Sequence, residues 1–404
     1  MTKAKEFAAG WRDLLAATLG LACGVPAYTP VSSLFFRVLV KQFGWSATAA
    51  AASLIALPLT GLCLPVAGTI IDRYGVRRVA FVSIILLALS YCWLSLMDGS
   101  LIAFYFGIIG LNVLGCATSP IAYTRPVALQ FVRARGIALA ICLLGISIGG
   151  ILLPPILAHV LAVAGWRAAY RLLGIIGFVG GLSAIALLRP EPQRPRSSRS
   201  RRKLASTVIR DRSFWLLSTA IFLISVASIG LVSQFQSVMI EAGVAPAQSI
   251  ALLSSLATSV FVSRLVIGWS LDTFSAEWTA GISLGLAAIG AVGLLSSHGS
   301  LLYALPATIL IGFSIGAELD LLSFFCARYF GLQDFGAVYG ALSVFFYTGM
   351  AVGAVMYGAI RDRTGSYSPA IAASAILFVV AAVLFVALPR PSATAAQSVR
   401  ATRR

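Results

Sequence analysis

The chain has 404 residues, of which 59% are hydrophobic and 11% are charged, and its formal net charge is +17. A soluble globular protein carries roughly 25% charged residues, so a soluble fold of this length would lack the polar surface to cover itself. The composition therefore excludes a water-soluble enzyme or binding module and indicates a chain surrounded by lipid, which can face apolar side chains directly.

Twelve apolar segments are long enough to cross a bilayer, which requires about 20 residues in an α-helix. We predict an all-α membrane protein whose twelve transmembrane helices form two pseudo-symmetric six-helix bundles. The predicted spans are residues 14–36, 47–70, 79–97, 101–129, 136–163, 168–188, 214–240, 248–270, 278–297, 301–326, 336–360 and 367–388.

The stretch between the sixth and seventh spans differs from the rest of the chain because it is rich in Pro, Ser and Arg. This composition is typical of a solvated linker. We therefore predict an N-terminal bundle at 1–188, a basic cytoplasmic linker at 189–212, a C-terminal bundle at 213–390 and a cytoplasmic tail at 391–404.

Lysine and arginine fall unevenly on the two sides of the predicted bundles. If the N-terminus is cytoplasmic, that side holds 22 of these residues and the opposite side holds six. The positive-inside rule then predicts that both termini are cytoplasmic. The basic loops can rest against anionic lipid headgroups, which explains the positive charge without a nucleic-acid partner.

The six cysteines and two histidines show no metal-binding or catalytic pattern. The cysteines form no C-x-x-C pair and lie in or beside apolar stretches, so we interpret them as packing residues. No H-E-x-x-H motif, phosphate-binding loop or nucleophile–base pair is present. We expect no metal, no cofactor and no enzymatic activity.

The two halves of the chain resemble each other at an offset of about 200 residues. Gly68-x-x-x-Asp72 in the first half matches Gly268-x-x-x-Asp272 in the second. Parallel repeats of this kind imply a pseudo-two-fold axis along the membrane normal. We therefore expect substrate to bind between the halves, near the middle of the membrane.

The loop after the second span carries a motif of glycines and charges. We interpret it as a tight turn, a close helix approach and an Asp–Arg cluster that latches helix ends in one conformational state. The alternative is a plain basic turn. The second copy keeps Gly268 and Asp272 but lacks the basic tail. The motif resembles the major facilitator superfamily signature G-x-x-x-D-R-x-G-x-R-R in residues Gly68, Asp72, Arg73, Gly75, Arg77 and Arg78.

A narrower resemblance covers most of the chain. Its motifs are Gly44-Trp45-Ser46, Arg135-Gly136, Gly145-x-x-x-Gly149-Gly150, Pro154-Pro155, Gly165-Trp166-Arg167 and Arg264-x-x-x-Gly268. They look like the monocarboxylate-porter and oxalate–formate-antiporter branch of that superfamily. In that branch the arginine of the eighth helix grips the substrate carboxylate, so the resemblance implies this role for Arg264. It also implies a monomer in a bacterial cell inner membrane.

Three positions depart from the branch. Mammalian-type members have a lysine on the first helix, where this chain has about Pro30, and an acid beside the arginine, where it has Val260. Oxalate–formate members have a lysine on the eleventh helix, where this chain has the run Phe345 to Thr348. The resemblance therefore implies a small organic anion as substrate, and it leaves the coupling open between proton symport and exchange for a counter-anion.

Four ionisable residues lie well inside the predicted spans: Arg125, Arg264, Glu318 and Asp320. A charge inside a membrane costs about 2.5 kcal/mol or more unless it is paired or wet, so these residues are functional candidates. At about 1.5 Å per residue, all four lie about 12–15 Å from the cytoplasmic boundary. We expect one layer in which two cations neutralise two anions.

We expect Arg264 to bind a carboxylate, because its planar fork matches two oxygens, and Arg125 to be a second anion contact. A tenth-span acid would exchange protons, or would release Arg264 when substrate leaves. Glu318 and Asp320 are about 200° apart around their helix, so one lines the path and the other packs against a neighbouring helix. We favour Glu318 for the path. The alternative is a purely structural layer of ion pairs.

Polar side chains on other spans are weaker candidates. Tyr28 and Tyr123 can donate hydrogen bonds to an anion, although interhelical packing explains them equally well. We interpret His159 as a packed or interfacial residue rather than a proton relay. The full set of weaker candidates for the substrate path is Tyr28, Thr29, Tyr123, Gln234 and Tyr347.

Three functional classes remain at the level of sequence. The first is an organic-anion transporter, and the second is a proton-coupled transporter of another class, such as one for drugs. Two arginines inside the spans disfavour a cationic substrate, because like charges repel strongly in a low-dielectric site. A membrane enzyme or a non-transporting receptor is the third class, and no motif supports it.

Overall fold

The computed structural model describes residues 2–45, 53, 56–189, 208, 210–332 and 335–389. These residues form fourteen α-helices and no strand, so the predicted all-α class is confirmed. Helices suit a membrane because their backbone polar groups are satisfied within the segment. The predicted linker lies almost entirely outside the described residues, and the predicted tail and Ser46 lie wholly outside them.

The chain divides into two compact units, which we describe separately. Unit 1 contains the described residues of Met1–Arg133, Ile141–Arg194 and Leu332–Ala341. Unit 2 contains those of Ala134–Ala140, Pro195–Gly331 and Leu342–Arg404. Each unit therefore takes in one short segment, at 332–341 or 134–140, that is distant in sequence from the rest of it.

Unit 1 is built from helices whose spans are partly broken. Gly24, Pro26 and Pro30 interrupt the first span with two 3₁₀ turns, because proline removes a backbone donor and clashes with the preceding turn. A further 3₁₀ turn breaks the fourth span at Cys116–Thr118. The helices are α1 (Lys3–Cys23), α2 (Ser32–Phe43), α3 (Ala56–Tyr74), α4 (Val76–Leu96), α5 (Leu101–Leu114), α6 (Pro120–Gln130) and α7 (Arg135–Leu187).

Unit 2 has its helices packed closely through small residues. Gly312 and Gly316 of α12 face α10, where a Cβ would meet the side chains of Ser259 and Ser263. Small residues at such contacts let membrane helices approach closely. The helices are α8 (Arg212–Ser233), α9 (Phe235–Glu241), α10 (Pro246–Thr273), α11 (Ala276–Leu295), α12 (Leu301–Phe330), α13 (Phe335–Thr364) and α14 (Ser368–Val386).

Eight of the described helices are individually long and apolar enough to span a membrane, and the bent pair α1–α2 makes a ninth candidate. The difference from twelve has a structural cause. Segment α7 is two helices in succession, the fifth and sixth predicted spans, which meet at a kink at Gly165, where φ +76° and ψ 176° are not helical. Helix α3 and the broken pair α5–α6 supply the second and fourth spans. The helices are therefore consistent with the predicted twelve-span fold.

The repeat seen in the sequence extends to the turns of the structure. Gly99 and Gly299 have φ values of +89° and +80°, and Gly165 and Gly365 have values of +76° and +74°. Each pair is separated by 200 residues. These turns lie at the helix ends opposite Asp72 in unit 1 and Asp272 in unit 2. For each unit we call the end with the aspartate the motif end and the other the distal end.

Candidate functional site

Asp72, at the motif end of α3, binds the beginning of α13 within unit 1. Its Oδ1 accepts a hydrogen bond from Gly336 N at 3.1 Å, and its Oδ2 accepts one from Ala337 N at 2.9 Å. Arg125 Nη1 of α6 lies 2.5 Å from Asp72 Oδ1. The carboxylate thus satisfies backbone donors that a helix N-terminus leaves open, where a negative charge is also favoured.

The glycines of the motif serve two different purposes. A Cβ at Gly68 would overlap the carbonyl group of Gly336, so this position allows the close approach expected there. Gly75 has φ +81° and ψ 154° and directly precedes α4, so it makes the expected turn. Arg73 and Arg78 are exposed, and Arg77 is half-buried.

Asp272 makes the matching arrangement within unit 2. It accepts hydrogen bonds from Gly136 N at 2.7 Å and Ile137 N at 3.1 Å, in the first turn of α7. A Cβ at Gly268 would meet Ala140 and the carbonyl of Gly136. Each motif aspartate therefore caps the first turn of a helix that is distant from it in sequence.

Arg125 lies closer to the motif end than its sequence position indicated. Depth along the helix placed it in the layer of buried charges, about 12 Å from the boundary. Its guanidinium instead contacts Asp72, two residues before the end of α3. The expectation of a single layer is therefore wrong for the charge of Arg125, which lies at the motif aspartate. Its role as a substrate contact stays a prediction.

Arg264 of α10 and Asp320 of α12 form a buried ion pair in unit 2. Nη1 and Oδ2 are 3.5 Å apart, and the side chains are 6% and 1% exposed. Among the described residues, Nε and Nη1 of Arg264 and both carboxylate oxygens of Asp320 have no hydrogen-bond partner. The two charges neutralise each other, but these nitrogen donors and oxygen acceptors form no hydrogen bond with good geometry. Buried polar atoms of this kind usually indicate a bound ligand or water.

Glu318 points to a different neighbour. Its Oε1 accepts a hydrogen bond from Ser225 Oγ of α8 at 2.8 Å, and both residues are buried. No cation lies within salt-bridge distance of Glu318 in the described parts of the chain, although Arg264 is near enough for its charge to act on that carboxyl. The acids diverge as their separation around the helix predicted, and it is Asp320 that contacts the arginine.

Ser225 is a contact that sequence reasoning did not identify. A single serine in an apolar helix carries no signal, because most such hydroxyls bond to the preceding turn. Its relevance appears only when α8 and α12 are packed together.

The tyrosine candidates are enclosed by other side chains. Tyr28 lies between the two 3₁₀ turns, with its ring centroid 6.2 Å from that of Phe35. Tyr123 of α6 is fully buried against Gly20 of α1. The hydroxyl of Tyr28 interacts with that of Tyr170, and the hydroxyl of Tyr123 has no hydrogen-bond partner in the described parts of the chain. Tyr347 of α13 is half-buried. Their contact with substrate stays a prediction.

The remaining polar candidates have ordinary surroundings. Thr29 is exposed at the break of the first span, and His159 is exposed on α7. Gln234, between α8 and α9, accepts a hydrogen bond from the hydroxyl of Tyr367 at 3.3 Å. The described residues contain no group of His, Cys, Asp and Glu side chains that could hold a metal ion.

Two tryptophan motifs meet at the distal end of unit 1. Trp45 Nε1 donates to the carbonyl of Gly99 at 3.1 Å, and Arg167 Nη2 donates to that of Met97 at 3.3 Å. The Arg167 guanidinium also lies 4.4 Å from the ring centroid of Trp166. These motifs therefore hold the loop between α4 and α5 and take no part in the charged site.

Comparison with known proteins gives one consistent class. The family model described as Major Facilitator Superfamily matches residues 14–354. Monocarboxylate transporter 11 of Homo sapiens is 26% identical over 399 residues, covering 94% of this chain and 83% of that protein. The MFS-type transporter pytF of Aspergillus terreus is 30% identical over 212 residues, covering 51% of this chain and 69% of that protein.

Solved structures share the fold. The human organic anion transporter MFSD10 (TETRAN) aligns with a TM-score of 0.76 at 18% identity, covering 93% of this chain and 99% of that one. The proton:xylose symporter XylE aligns with a TM-score of 0.77 at 14% identity, covering 99% of both chains. At these identities the likeness shows the architecture alone.

Proposed function

The chain belongs to the Major Facilitator Superfamily as a multi-pass, non-enzymatic membrane transporter, and we propose that its substrate is a small organic anion of the monocarboxylate type. Transport proceeds by alternating access, as proton symport or as exchange for a counter-anion. With the N-terminus in the cytoplasm of a bacterial cell, the motif end is cytoplasmic. The protein acts as a monomer.

The observation that carries this proposal is the unused hydrogen-bonding capacity of Arg264. A guanidinium presents donors in a rigid fork that fits a carboxylate with two parallel bonds. Arg264 is buried, and two of its three nitrogens have no hydrogen-bond partner among the described residues. A substrate carboxylate would supply the missing acceptors. The name of the human relative, a monocarboxylate transporter, supports the same class.

Asp320 is the counter-ion that substrate displaces. A buried arginine without a neutralising charge would destabilise the empty carrier strongly. Val260 offers no acid on α10, and Asp320 supplies one from α12. The long separation and poor hydrogen-bond geometry of this pair favour a carboxylate that can bind better. When substrate leaves, Asp320 again neutralises Arg264.

A proton-coupled transporter of another class, such as one for drugs, is the second candidate. Glu318 is buried and has no salt-bridge partner among the described residues, so it could attract a cationic substrate. The charge of Arg264 acts on the same region and repels cations. We therefore favour the anion.

The proposal is tested by transport into liposomes that contain the purified protein. Uptake of a panel of labelled monocarboxylates is measured with an inward proton gradient and, separately, into liposomes preloaded with unlabelled carboxylate. We expect Arg264→Ala to abolish both activities. We expect Arg264→Lys to raise KM about tenfold, because it keeps the charge but loses the fork.

Arg363→Ala is the matched control, because it also removes one arginine from unit 2 but at an exposed position. It should transport like the unmodified protein. If the folded protein takes up no carboxylate under either condition, the substrate class is wrong. Equal uptake by Arg264→Ala would remove the arginine from the binding site.

A further inference from the structure

Four fully buried serine hydroxyls in unit 2 have no hydrogen-bond partner among the described residues, and all lie on α8 or α12. Serines in apolar helices usually bond to the preceding turn, as Ser283 of α11 does to the carbonyl of Ala280. An unpartnered buried hydroxyl costs stability, so such groups usually mark places where water binds. The four are Ser218, Ser228, Ser314 and Ser323.

Helices α8 and α12 pack against each other and run in opposite directions. Phe214, at the start of α8, contacts Phe330 at the end of α12, with ring centroids 6.2 Å apart. Residues that follow Ser225 along α8 and residues that precede Glu318 along α12 therefore both lie toward the distal end.

Two of the unpartnered hydroxyls flank the contact between Ser225 and Glu318 on its distal side. Ser228 lies three residues beyond Ser225, about 60° around α8 and about 4.5 Å along it. Ser314 lies one turn before Glu318, about 40° around α12 and about 6 Å along it. Both hydroxyls therefore share the face of their helix on which Ser225 and Glu318 meet.

The other two hydroxyls differ in placement. Ser218 precedes Ser225 by seven residues, so it lies on the same face of α8 but about 10 Å toward the motif end. Ser323 lies about 140° around α12 from Glu318 and faces another neighbour. The two unpartnered hydroxyls nearest to Glu318 therefore lie on its distal side, and the Arg264–Asp320 pair lies toward the motif end.

We propose that Ser228 and Ser314 hold a short file of water molecules that carries protons between the distal end of unit 2 and Glu318, which binds the transported proton. This inference rests on the proposed anion transport and separates two tasks. Arg264 and Asp320 bind and release the anion, and Glu318 carries the proton that travels with it.

The surroundings of Glu318 suit a residue that gains and loses a proton. Helix α8 presents the hydroxyl of Ser225, with that of Ser228 on the same face, and α10 presents Arg264. Asp320 on the same helix pairs with Arg264, and Glu277 of α11 pairs with Arg328 at the motif end. Glu318 thus has no salt-bridge partner of its own in the described parts of the chain, and Ser225 can bond to either protonation state.

The proton balance is simple. A proton from water at the distal end passes along the file, each oxygen accepting one proton and donating another, and neutralises the Glu318 carboxylate. The substrate anion binds Arg264. After the site opens toward the motif end, the anion leaves and Glu318 returns its proton to water there. One proton and one anion cross together.

The test uses the full-length protein in liposomes with three variants. Glu318→Gln should abolish uptake driven by a proton gradient and retain exchange into preloaded liposomes. The double variant Ser228→Ala/Ser314→Ala should slow gradient-driven uptake about fivefold and leave exchange within about twofold. Ser283→Ala is the control, because it removes a buried hydroxyl that already has a partner. It should change neither activity.

A measurement without substrate separates this inference from the proposed function. Infrared difference spectra recorded after a pH change detect the protonation of a buried carboxyl group directly. The band should be absent in Glu318→Gln, and its exchange in deuterated water should slow in the double serine variant. If these spectral results hold but no carboxylate is transported, the proton site stands and the substrate class fails.

Two outcomes would overturn the inference. One is gradient-driven uptake that survives Glu318→Gln. The other is a double serine variant that matches Ser283→Ala in both gradient-driven uptake and deuterium exchange. Thermal unfolding in detergent, compared between the double variant and Ser283→Ala, separates loss of folding from loss of proton transfer.

Discussion

Among the described residues Arg264 has one salt-bridge partner, Asp320, and the strength of this pairing can be measured as stability. Asp320→Asn would leave the guanidinium buried without a neutralising charge. Breaking a buried ion pair from one side costs about 3–5 kcal/mol, whereas replacing both partners with apolar residues is often neutral. We therefore expect thermal unfolding in detergent to show a large loss for Asp320→Asn and near-recovery for Arg264→Met/Asp320→Leu.

The double variant should regain stability without regaining transport. This contrast distinguishes a binding residue from a residue that serves only packing. Uptake by the double variant would show that the pair is structural, and equal stability of the single and double variants would show that the two charges are not coupled.

Two glycines with positive φ, Gly44 in a distal turn and Gly75 in the motif turn, differ in how well their backbone conformation tolerates a side chain. Gly44 has φ 66° and ψ 22°, in the left-handed helical region that asparagine tolerates. Gly75 has φ 81° and ψ 154°, a region open to glycine almost alone. Among the described residues, neither has an atom within 4 Å of an added Cβ, so backbone strain is the difference between them.

We therefore expect Gly44→Asn to be nearly neutral and Gly75→Asn to cost about 1–3 kcal/mol, measured as unfolding in detergent. Because both positions are open, a clash cannot account for a difference. Equal losses at the two positions would contradict this explanation of the motif turn.

At the scale of helices, the motif aspartates act as N-terminal caps for elements far away in sequence. Asp72 accepts two backbone N–H groups of α13, and Asp272 accepts two of α7. Capping of this kind contributes about 0.5–2 kcal/mol. Asp72→Ala should therefore speed amide hydrogen exchange at the start of α13, and Asp272→Ala should speed it at the start of α7.

Each variant serves as the control for the other. The expected increase is about tenfold, measured by mass spectrometry on peptides that cover residues 335–341 and 135–140. Faster exchange at both sites in both variants would indicate general loosening and would contradict the assignment of one cap to one helix.

The helices themselves were largely predictable, because a membrane span depends mainly on length and apolar composition. The break at Gly24–Val31 and the 3₁₀ turn at Cys116–Thr118 were not anticipated, because the flanking residues remain apolar. The kink at Gly165, where φ is positive and the fifth span turns into the sixth, is likewise a local feature of the backbone. Hydropathy measures burial in lipid and is insensitive to such local changes of backbone direction.

The charged site was less predictable than the spans. Arg264, Glu318 and Asp320 were recognisable because ionisable residues are rare in apolar segments. Their partners were not, since pairing depends on side-chain reach and on how helices rotate against each other. Arg125 illustrates this limit, because its guanidinium contacts Asp72 at the end of α3 although Arg125 itself lies five residues before the end of α6. Ser225 illustrates it for a residue whose type carries no signal.

At the scale of the whole molecule, the proposed cycle switches the charged site between access from one side of the membrane and access from the other. In the loaded state we assign a positive charge to Arg264, negative charges to Asp320 and a monoanionic substrate, and none to protonated Glu318. In the empty state Glu318 is negative and the substrate is absent. The charges of Arg264, Asp320, Glu318 and the substrate add up to −1 in the loaded state and in the empty state. The loaded and empty site therefore reorient with the same net charge, and each complete cycle is electroneutral.

This equality predicts how the two components of a proton-motive force act. A pH difference of one unit across the membrane should raise the accumulation of a monocarboxylate about tenfold, because one proton accompanies each anion. Moving one elementary charge across a membrane potential of 100 mV changes its free energy by about 2.3 kcal/mol. The potential should change the accumulation of a monocarboxylate little, since no net charge crosses the membrane. The measurement sets potassium and valinomycin potentials at fixed pH in liposomes. A dicarboxylate carried by the same route would add one negative charge, so its accumulation should become sensitive to potential. Accumulation of a monocarboxylate that follows the potential would require a second proton or another ion, and it would rule out Glu318 as the single coupling group.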